Sequence, residues 1–225
     1  MVRLVLFDVD GTLIRTGGAG MKAFARTFES EFKAVDGFER LKFAGRTDVG
    51  LVKEFFSFHR IEPTPENLRR FFDHYVFWLD HLLKESTGEV CAGVWDLIQG
   101  FQALPQPPLL GLLTGNIRLG AEIKLRHFDL WEVFQTGAFG DEDEDRGRIA
   151  ATALERGSRI LGTRLRGEEV LVIGDTPLDI HCGRVIGAKV LAVASGGADL
   201  AELERHQPDW AIPDLRAITA RQVGL

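Results

Sequence analysis

The sequence predicts an α/β protein with a parallel sheet and a helical insertion after the first strand. Short apolar runs alternate with segments of helical spacing through the C-terminal half, which is the alternation that a parallel sheet requires. The interval from about 16 to 86 breaks this alternation, because it contains no convincing strand and is rich in phenylalanine. These two observations predict the fold class.

The strands are predicted from short apolar runs bounded by turn residues. The first run, VRLVLF at 2–7, ends at the acidic glycine turn Asp8 to Gly11. Similar runs follow at 109–113, 169–173 and 189–193, with a weaker one at 210–212. Helical spacing between these runs predicts helices over 116–127, 146–161 and 177–186. The C-terminal half is therefore interpreted as alternating strand and helix.

The inserted interval is predicted to form a small helical unit. Its residues are spaced as in amphipathic helices over roughly 19–35, 48–59 and 64–86. Eleven of the sixteen phenylalanines fall within it, among them Phe55, Phe56, Phe71, Phe72 and Phe77. We interpret this density as the core of the unit. We expect a core domain formed by 1–15 and 87–225 and a helical cap formed by 16–86.

Composition excludes several classes of protein. The chain has 225 residues and 45% hydrophobic content, which disfavours a disordered or fibrous protein. The net charge of -6 leaves no extended basic face, so we expect no nucleic-acid partner. Cys91 and Cys182 lie far apart and are expected to be reduced. No apolar run is long enough to cross a bilayer, and we expect a cytoplasmic protein without membrane contact.

Polar residues follow three of the predicted strands. The segments are DVDGTL at 8–13, TGN at 114–116 and GDTPLD at 174–179. Each alone is typical of a polar turn or a helix N-cap. Because the carboxyl ends of parallel strands meet at one edge of a sheet, where ligands bind, the three together predict a functional site. The helix that begins near Asn116 favours an anionic oxygen at its start.

The aspartates of this site require a cation. Like charges about 4 Å apart repel by roughly 4 kcal/mol at an effective dielectric of about 20, so Asp8, Asp10 and Asp175 cannot cluster unaided. Ligands that are all oxygens suit Mg²⁺, and the six histidines show no zinc-ligand spacing.

A basic side chain should also face a transferring phosphoryl group, because it stabilises the charge there. Arg146 is the first candidate, Arg148 the second and Lys124 the third. Each of them is equally well explained as a solvated surface base.

The three segments, in this order and separation over residues 8–179, resemble the motifs of the haloacid dehalogenase superfamily of aspartyl-phosphate hydrolases. Within it the chain resembles the phosphoglycolate phosphatase and phosphoglucomutase branch. The resemblance implies a Rossmann-like core with a helical cap inserted after the first strand. It also implies an Mg²⁺-dependent phosphatase that hydrolyses a small phosphate monoester, of the 2-phosphoglycolate or sugar phosphate type, through an aspartyl-phosphate.

The resemblance implies roles for the motif residues. Asp8 becomes the nucleophile, and Asp10 the general acid that later activates water. The implied Mg²⁺ ligands are Asp8 and Asp175 by side chain and Asp10 by its backbone carbonyl, with Asp179 supporting the metal shell. Thr114 and the amides around Gly115 would hold the phosphoryl oxygens, and the implied substrate-binding residues on this edge are Gly11, Thr12, Thr114, Gly115 and Asn116. The lysine that the family usually carries is not evident, and Arg146 in DEDEDRGRI takes its place.

The segment Gly45-Arg46-Thr47-Asp48 resembles a cap motif that faces the active site. Arg46 would then bind a carboxylate or a second phosphate of the substrate. The alternative is local, since Thr47 or Asp48 would serve as N-cap of the helix that begins near 48. Gly17 and Gly18 are candidates for a hinge that lets the cap close.

Other activities of the same superfamily remain as alternatives. A dehalogenase needs neither Asp10 nor a metal-binding pair such as Asp175 and Asp179. A phosphonate hydrolase would use a cap lysine such as Lys22, but Asp10 favours a phosphate ester. A phosphosugar mutase would use the same core and differ only in its products. From a different class, a non-catalytic Mg²⁺-binding regulatory protein would keep the fold without turnover. The substrate and the oligomeric state are not specified by these motifs.

Overall fold

The computed structural model describes residues 1–224 and confirms the α/β class. Six parallel strands form one sheet, in the order β5-β4-β1-β6-β7-β8, and a two-stranded antiparallel ribbon joins β2 to β3. The strands are β1 (Leu4–Phe7), β2 (Ile14–Arg15), β3 (Glu89–Val90), β4 (Leu109–Leu113), β5 (Thr136–Ala138), β6 (Val170–Gly174), β7 (Lys189–Val193) and β8 (Trp210–Ile212). All five predicted strands are confirmed to within two residues at either end.

Three short strands were not predicted. The edge strand β5 is Thr136-Gly137-Ala138, which has no run of large apolar side chains and therefore no strand signal in the sequence. The strands β2 and β3 contain two residues each and pair with each other, Ile14 with Val90. Strands of this length are too short for any period-two pattern to be recognised.

Helices cover both faces of the sheet and form the inserted unit. They are α1 (Ala19–Phe32), α2 (Asp48–Phe58), α3 (Pro65–Lys84), α4 (Val94–Gln102), α5 (Arg118–His127), α6 (Arg146–Ile160), α7 (Pro177–Val185), α8 (Leu200–Arg205) and α9 (Ala220–Gly224). The six helices predicted from periodicity are confirmed. No helix within residues 1–224 combines the length and the apolar character needed to cross a membrane.

The sheet is buried on both faces, as its continuous apolar strands require. Along β1 the side chains alternate, so that Val5 and Phe7 pack with α4, α5 and α9 while Leu4 and Leu6 pack with α6 and α7. The strand β1 lies between β4 and β6, and Phe7 is level with Ile173 of β6. The first acidic motif therefore emerges at the middle of the sheet's carboxyl edge.

The helices α1, α2 and α3, which we call the cap helices, come between β2 and β3 in the chain. They contain an aromatic core of their own. The rings of Phe28 and Phe55 stack with centroids 3.9 Å apart, and Phe24 and Phe71 pack against them. Phe77 does not belong to this core, so that part of the prediction is wrong. It follows buried Tyr75 by two residues, which turns it to the opposite face of α3, and it is 64% exposed.

The loop before α2 docks the cap helices onto the sheet edge. The backbone N–H of Asp48 donates to the carbonyl of Gly115 at 2.8 Å, and the N–H of Ile117 donates to the Asp48 carboxylate at 2.8 Å. The approach is so close that a Cβ atom on Gly115 would lie 2.2 Å from the carbonyl oxygen of Arg46. Glycine at 115 is required for this contact.

Candidate active site

Three aspartates meet at the carboxyl edge of β1 and β6. Asp8 follows β1 directly, Asp175 follows β6, and Asp179 belongs to the first turn of α7. One carboxylate oxygen from each lies within 4.8 Å of the others, and all three side chains are buried. The structure therefore brings together three of the four predicted metal ligands by their side chains.

The electrostatics of this cluster fit a cation. Burial raises the pKa of Asp8 well above its ordinary value, and the carboxylates of Asp179 and Asp175 raise it further, while the Arg146 guanidinium lowers it. Burial, and then the charge of Asp179, raises the pKa of Asp175 to about 7. Buried carboxylates whose charged forms destabilise one another are relieved by a divalent ion, and an all-oxygen donor set suits Mg²⁺. The residues present thus fit the metal that the resemblance implies.

Neighbouring groups hold two of these carboxylates in place. Thr12 donates its hydroxyl to Asp175 at 3.0 Å, and the N–H of Gly197 donates to the other oxygen of the same carboxylate. The Asp179 carboxylate accepts from the N–H of Thr176 at 3.0 Å and from its hydroxyl at 2.7 Å. Gly11 has a φ of +86°, and a Cβ there would lie 2.4 Å from Asp175, so glycine is needed at that turn.

Arg146 lies in the site, beside the acidic cluster, as expected of the residue that replaces the family's usual lysine. It is buried at the start of α6, its Nη2 pairs with Asp179 and lies 3.8 Å from Oδ1 of Asp8, and its Nη1 donates to the carbonyl of Gly45 at 3.0 Å. Arg148, the second candidate, is exposed and pairs with Asp143, so it is outside the site. One guanidinium therefore contacts both the acidic cluster and the loop of the cap.

The fourth aspartate, Asp10, has different partners. Its Oδ2 accepts from Lys124 Nζ at 2.6 Å and from Asn116 Nδ2 at 2.8 Å. Asn116 also donates to the hydroxyl of Thr114 at 2.8 Å. Lys124, the third candidate for the cation, is thus in the site but lies at Asp10 rather than at Asp8. The side chain of Asp10 is 41% exposed, whereas that of Asp8 is 8% exposed.

A cleft of about 300 Å³ lies between the sheet edge and the cap helices. The predicted site residues that line it are Asp8, Asp10, Gly11, Arg46, Thr114, Gly115, Asn116, Arg146 and Asp175. Thr12 is fully buried and supports Asp175 from behind the cleft. Arg46 faces the cleft but is paired with Glu54, and Thr47 caps α2 by accepting from the N–H of Gly50 at 3.2 Å. The helix-cap interpretation of that segment is confirmed for Thr47, whereas substrate binding by Arg46 stays a prediction.

Sequence reasoning missed several residues of the cleft wall. Asp48 was assigned no role beyond its place in the cap motif and a candidate helix cap, yet it is buried, and burial raises its pKa to about 7. Tyr75 of α3 is fully buried against the cleft, and burial raises its pKa. The pair Gly196 and Gly197 also lines it, and a signal existed there, because this pair follows closely on β7 at the same sheet edge.

Comparison with known proteins decides the family. Residues 5–193 match the model of the haloacid dehalogenase-like hydrolases. The chain belongs to this family. It is 28% identical to Pyrophosphatase PpaX of Halalkalibacterium halodurans, with 95% of each chain covered, and 27% identical to Pyrophosphatase PpaX of Bacillus cereus, with 94% of this chain and 92% of that one covered.

Solved structures of family members share the fold. A mutant of CbbY from Rhodobacter sphaeroides, in complex with xylulose-(1,5)bisphosphate, superimposes with a TM-score of 0.79 at 20% identity and full coverage of both chains. A predicted phosphoglycolate phosphatase from Haemophilus somnus gives 0.73 at 17% identity, with 95% of each chain covered. With the family match and the relatives named above, the chain is a hydrolase of the phosphatase type.

Proposed function

We propose that this family member is an Mg²⁺-dependent phosphatase that hydrolyses a small phosphate monoester through an aspartyl-phosphate on Asp8. One observation carries the proposal: the buried cluster of Asp8, Asp175 and Asp179 lies beside a fourth carboxylate, Asp10, that is separately held and open to the cleft. Two carboxylates in contrasting environments suit two different chemical roles.

In the proposed reaction a carboxylate oxygen of Asp8 attacks the phosphorus, and the ester oxygen leaves with a proton from Asp10. Water then attacks the aspartyl-phosphate and gives a proton to Asp10, which releases inorganic phosphate and restores Asp8. Atoms and charge balance over the two steps. Asp10 gives up one proton in the first step and takes another from water in the second, so it must be within reach of both the leaving oxygen and the water.

Asp8, Asp175 and Asp179 would hold Mg²⁺, together with the backbone carbonyl of Asp10. When bound, the ion neutralises charge on the cluster and on the phosphoryl group. The guanidinium of Arg146 favours the ionised form of Asp8, which is the nucleophilic form. Thr114 and the backbone around Gly115 line the cleft close to the start of α5, where the positive end of the helix dipole suits phosphoryl oxygens.

The substrate we propose is small, of the 2-phosphoglycolate or sugar phosphate type, because the cleft measures about 300 Å³ and the cap covers it. Inorganic pyrophosphate is a second candidate, supported by relatives named pyrophosphatase that match 95% of this chain. A phosphonate hydrolase is less well supported, because Lys22 is exposed on α1 and does not line the cleft.

The test is phosphate release from a panel of small phosphate esters and pyrophosphate, with and without Mg²⁺, comparing the wild type with Asp8→Asn. We expect Mg²⁺-dependent release from a few substrates and none from the variant, whose thermal stability should be preserved. Conversion of a sugar phosphate to its isomer without phosphate release would favour a mutase. An inert wild type across the whole panel would favour a non-catalytic regulatory protein.

A further inference from the structure

Lys124 reaches the cleft from well inside a helix. It lies on the buried face of α5, roughly 9 Å along the helix axis from Arg118 at the start, and its side chain is only 5% exposed. Helical side chains tilt toward the N-terminus of their helix. The long lysine stem therefore brings the ammonium group back to the loop between β4 and α5, at the carboxyl edge of the sheet.

The ammonium closes a ring of three hydrogen bonds. Lys124 Nζ donates to Asp10 Oδ2 and to Asn116 Oδ1, both at 2.6 Å, and Asn116 Nδ2 donates to the same Asp10 oxygen at 2.8 Å. Two donors thus hold one oxygen of the carboxylate. Within residues 1–224 the other oxygen, Oδ1, accepts no side-chain hydrogen bond, so it is free to exchange a proton in the cleft.

The cap helices cover the ammonium group of Lys124. A Cβ atom on Gly20 of α1 would lie 3.6 Å from Lys124 Nζ, so that helix passes directly over the ammonium. One turn earlier on α5, a Cβ on Gly120 would lie 3.3 Å from the ring of Tyr75 on α3. A buried ammonium must be paired, and the low local dielectric strengthens the pair it forms.

We propose that Lys124 is a positioning residue that holds Asp10 where it exchanges protons with the leaving oxygen and with water. The proposal rests on the phosphatase function given above. The two cationic side chains of the site then have different functions. Arg146 contacts Asp8 and Asp179, whereas Lys124 contacts Asp10 and acts on the reaction only through that carboxylate.

Leaving-group chemistry distinguishes this role from a direct contact with the phosphoryl group. An alkyl phosphate releases a strongly basic alkoxide and needs a proton from Asp10, whereas p-nitrophenyl phosphate releases a stable phenolate and needs little help. The ratio kcat/KM reports only the first phosphoryl transfer. Hydrolysis of the aspartyl-phosphate, which the two esters share, does not enter it.

We expect Lys124→Met to lower kcat/KM for an alkyl phosphate about 10- to 100-fold more than for p-nitrophenyl phosphate, and Asp10→Asn to show the same discrimination. Lys84→Met is the matched control, because Lys84 is exposed on α3 and pairs with Asp80. Equal losses on the two esters would overturn the proposal, since they would place Lys124 on the phosphoryl group. An unchanged kcat/KM for the alkyl ester would overturn it as well.

A crystal structure of Lys124→Met supplies a readout that needs no turnover. The proposal expects the Asp10 carboxylate to leave its place beside Asn116, and a carboxylate that stays there would overturn it. If the wild type hydrolyses neither ester, the phosphatase function fails by itself and this structure still decides the role of Lys124. Should the methionine variant not fold, Lys124→Leu also removes the donor and carries both measurements.

Discussion

Asp8 and Asp10 are two residues apart in the chain, and the different chemistry that we propose for them follows from their different surroundings. Asp8 is buried among other carboxylates and beside Arg146, whereas Asp10 is partly exposed and held by Lys124 and Asn116. Environment of this kind is what separates a nucleophile from an acid-base catalyst of the same residue type. The proposed chemistry therefore depends on which cation accompanies which aspartate.

Substitution of Arg146 tests whether its positive charge supports the proposed reaction at Asp8. Because a positive charge near Asp8 is the feature that phosphoryl transfer needs, Arg146→Met should lower kcat/KM about 100- to 1000-fold, while Arg146→Lys should stay within about tenfold of the wild type. The measurement is steady-state kinetics on the best ester of the panel. Arg148→Met, two residues further on α6 and exposed, should leave kcat/KM unchanged.

A loss in Arg146→Lys as large as in Arg146→Met would contradict this expectation. It would show that a positive charge at position 146 is not sufficient for activity. The bond from Nη1 to the carbonyl of Gly45, which a single ammonium cannot add to its other contacts, would then be required for activity.

The individual aspartates were predictable because each motif directly follows an apolar strand. The identity of the cation at each carboxylate was not. Arg146, Arg148 and Lys124 differ in the direction of their side chains, and that direction depends on which helix face packs on the sheet. Asp48 was missed for the same reason, because only the docked cap buries it.

Among the secondary-structure elements, α2 and the loop after β4 form the junction between cap and sheet. Asp48 makes this junction through its backbone N–H to Gly115 and through its carboxylate, which accepts from Ile117. Burial raises the pKa of Asp48 to about 7, and the charge of Lys124 partly opposes the rise. Folding therefore disfavours the ionised form of Asp48 relative to the unfolded chain.

The pH dependence of stability follows from this raised pKa. A carboxyl whose pKa is higher in the folded state contributes stability that is full below the unfolded value of 3.8 and is lost as the pH rises through about 7. Asp48→Asn stays neutral and can still accept from Ile117. We expect the stability of the variant relative to the wild type to increase from pH 5 to pH 8, by an amount on the order of 1 to 3 kcal/mol.

Thermal unfolding of the variant and the wild type at pH 5 and at pH 8 measures the effect. Asp80→Asn is the control, because Asp80 is exposed on α3 and its removal should shift the two melting temperatures alike. A difference between Asp48→Asn and the wild type that is the same at both pH values would contradict the assignment.

At the scale of the whole molecule, the mutual repulsion of the buried aspartates weakens the fold, and the proposed Mg²⁺ site would couple folding to the ion. Binding of the ion to the folded state alone stabilises it by about 2.7 kcal/mol at a hundred times Kd. Burial raises the pKa values of Asp8 and Asp175, the latter to about 7, so protons compete with the metal. We expect the Mg²⁺-induced rise in melting temperature to be larger near pH 8 than near pH 6, and absent in Asp175→Asn.

Unfolding without substrate, over a series of Mg²⁺ concentrations, measures this coupling. Asp199→Asn, at a helix cap outside the cleft, is a suitable control and should keep the full Mg²⁺ response. An equal response at the two pH values, or one that survives in Asp175→Asn, would mean that the ion binds elsewhere.

The parts of the architecture that depend on local sequence pattern were predictable. Five apolar runs predicted strands, and the phenylalanine-rich interval predicted the cap helices. The order of strands in the sheet and the edge strand β5 were not predictable, because pairing between distant segments leaves no periodic trace. The close contact of Arg46 with Gly115, which shapes the cleft, depends on the same long-range packing.

The central claim is that phosphoryl transfer passes through Asp8, and trapping the intermediate tests it most directly. Asp10→Asn should slow hydrolysis of the intermediate while p-nitrophenyl phosphate still forms it. The reaction is quenched in acid and reduced with borohydride, which converts an aspartyl-phosphate to homoserine, and the peptide is then examined by mass spectrometry. We predict conversion at position 8, dependent on Mg²⁺ and on substrate. Substrate turnover by the wild type with no conversion at Asp8, or with conversion at another aspartate, would contradict the account.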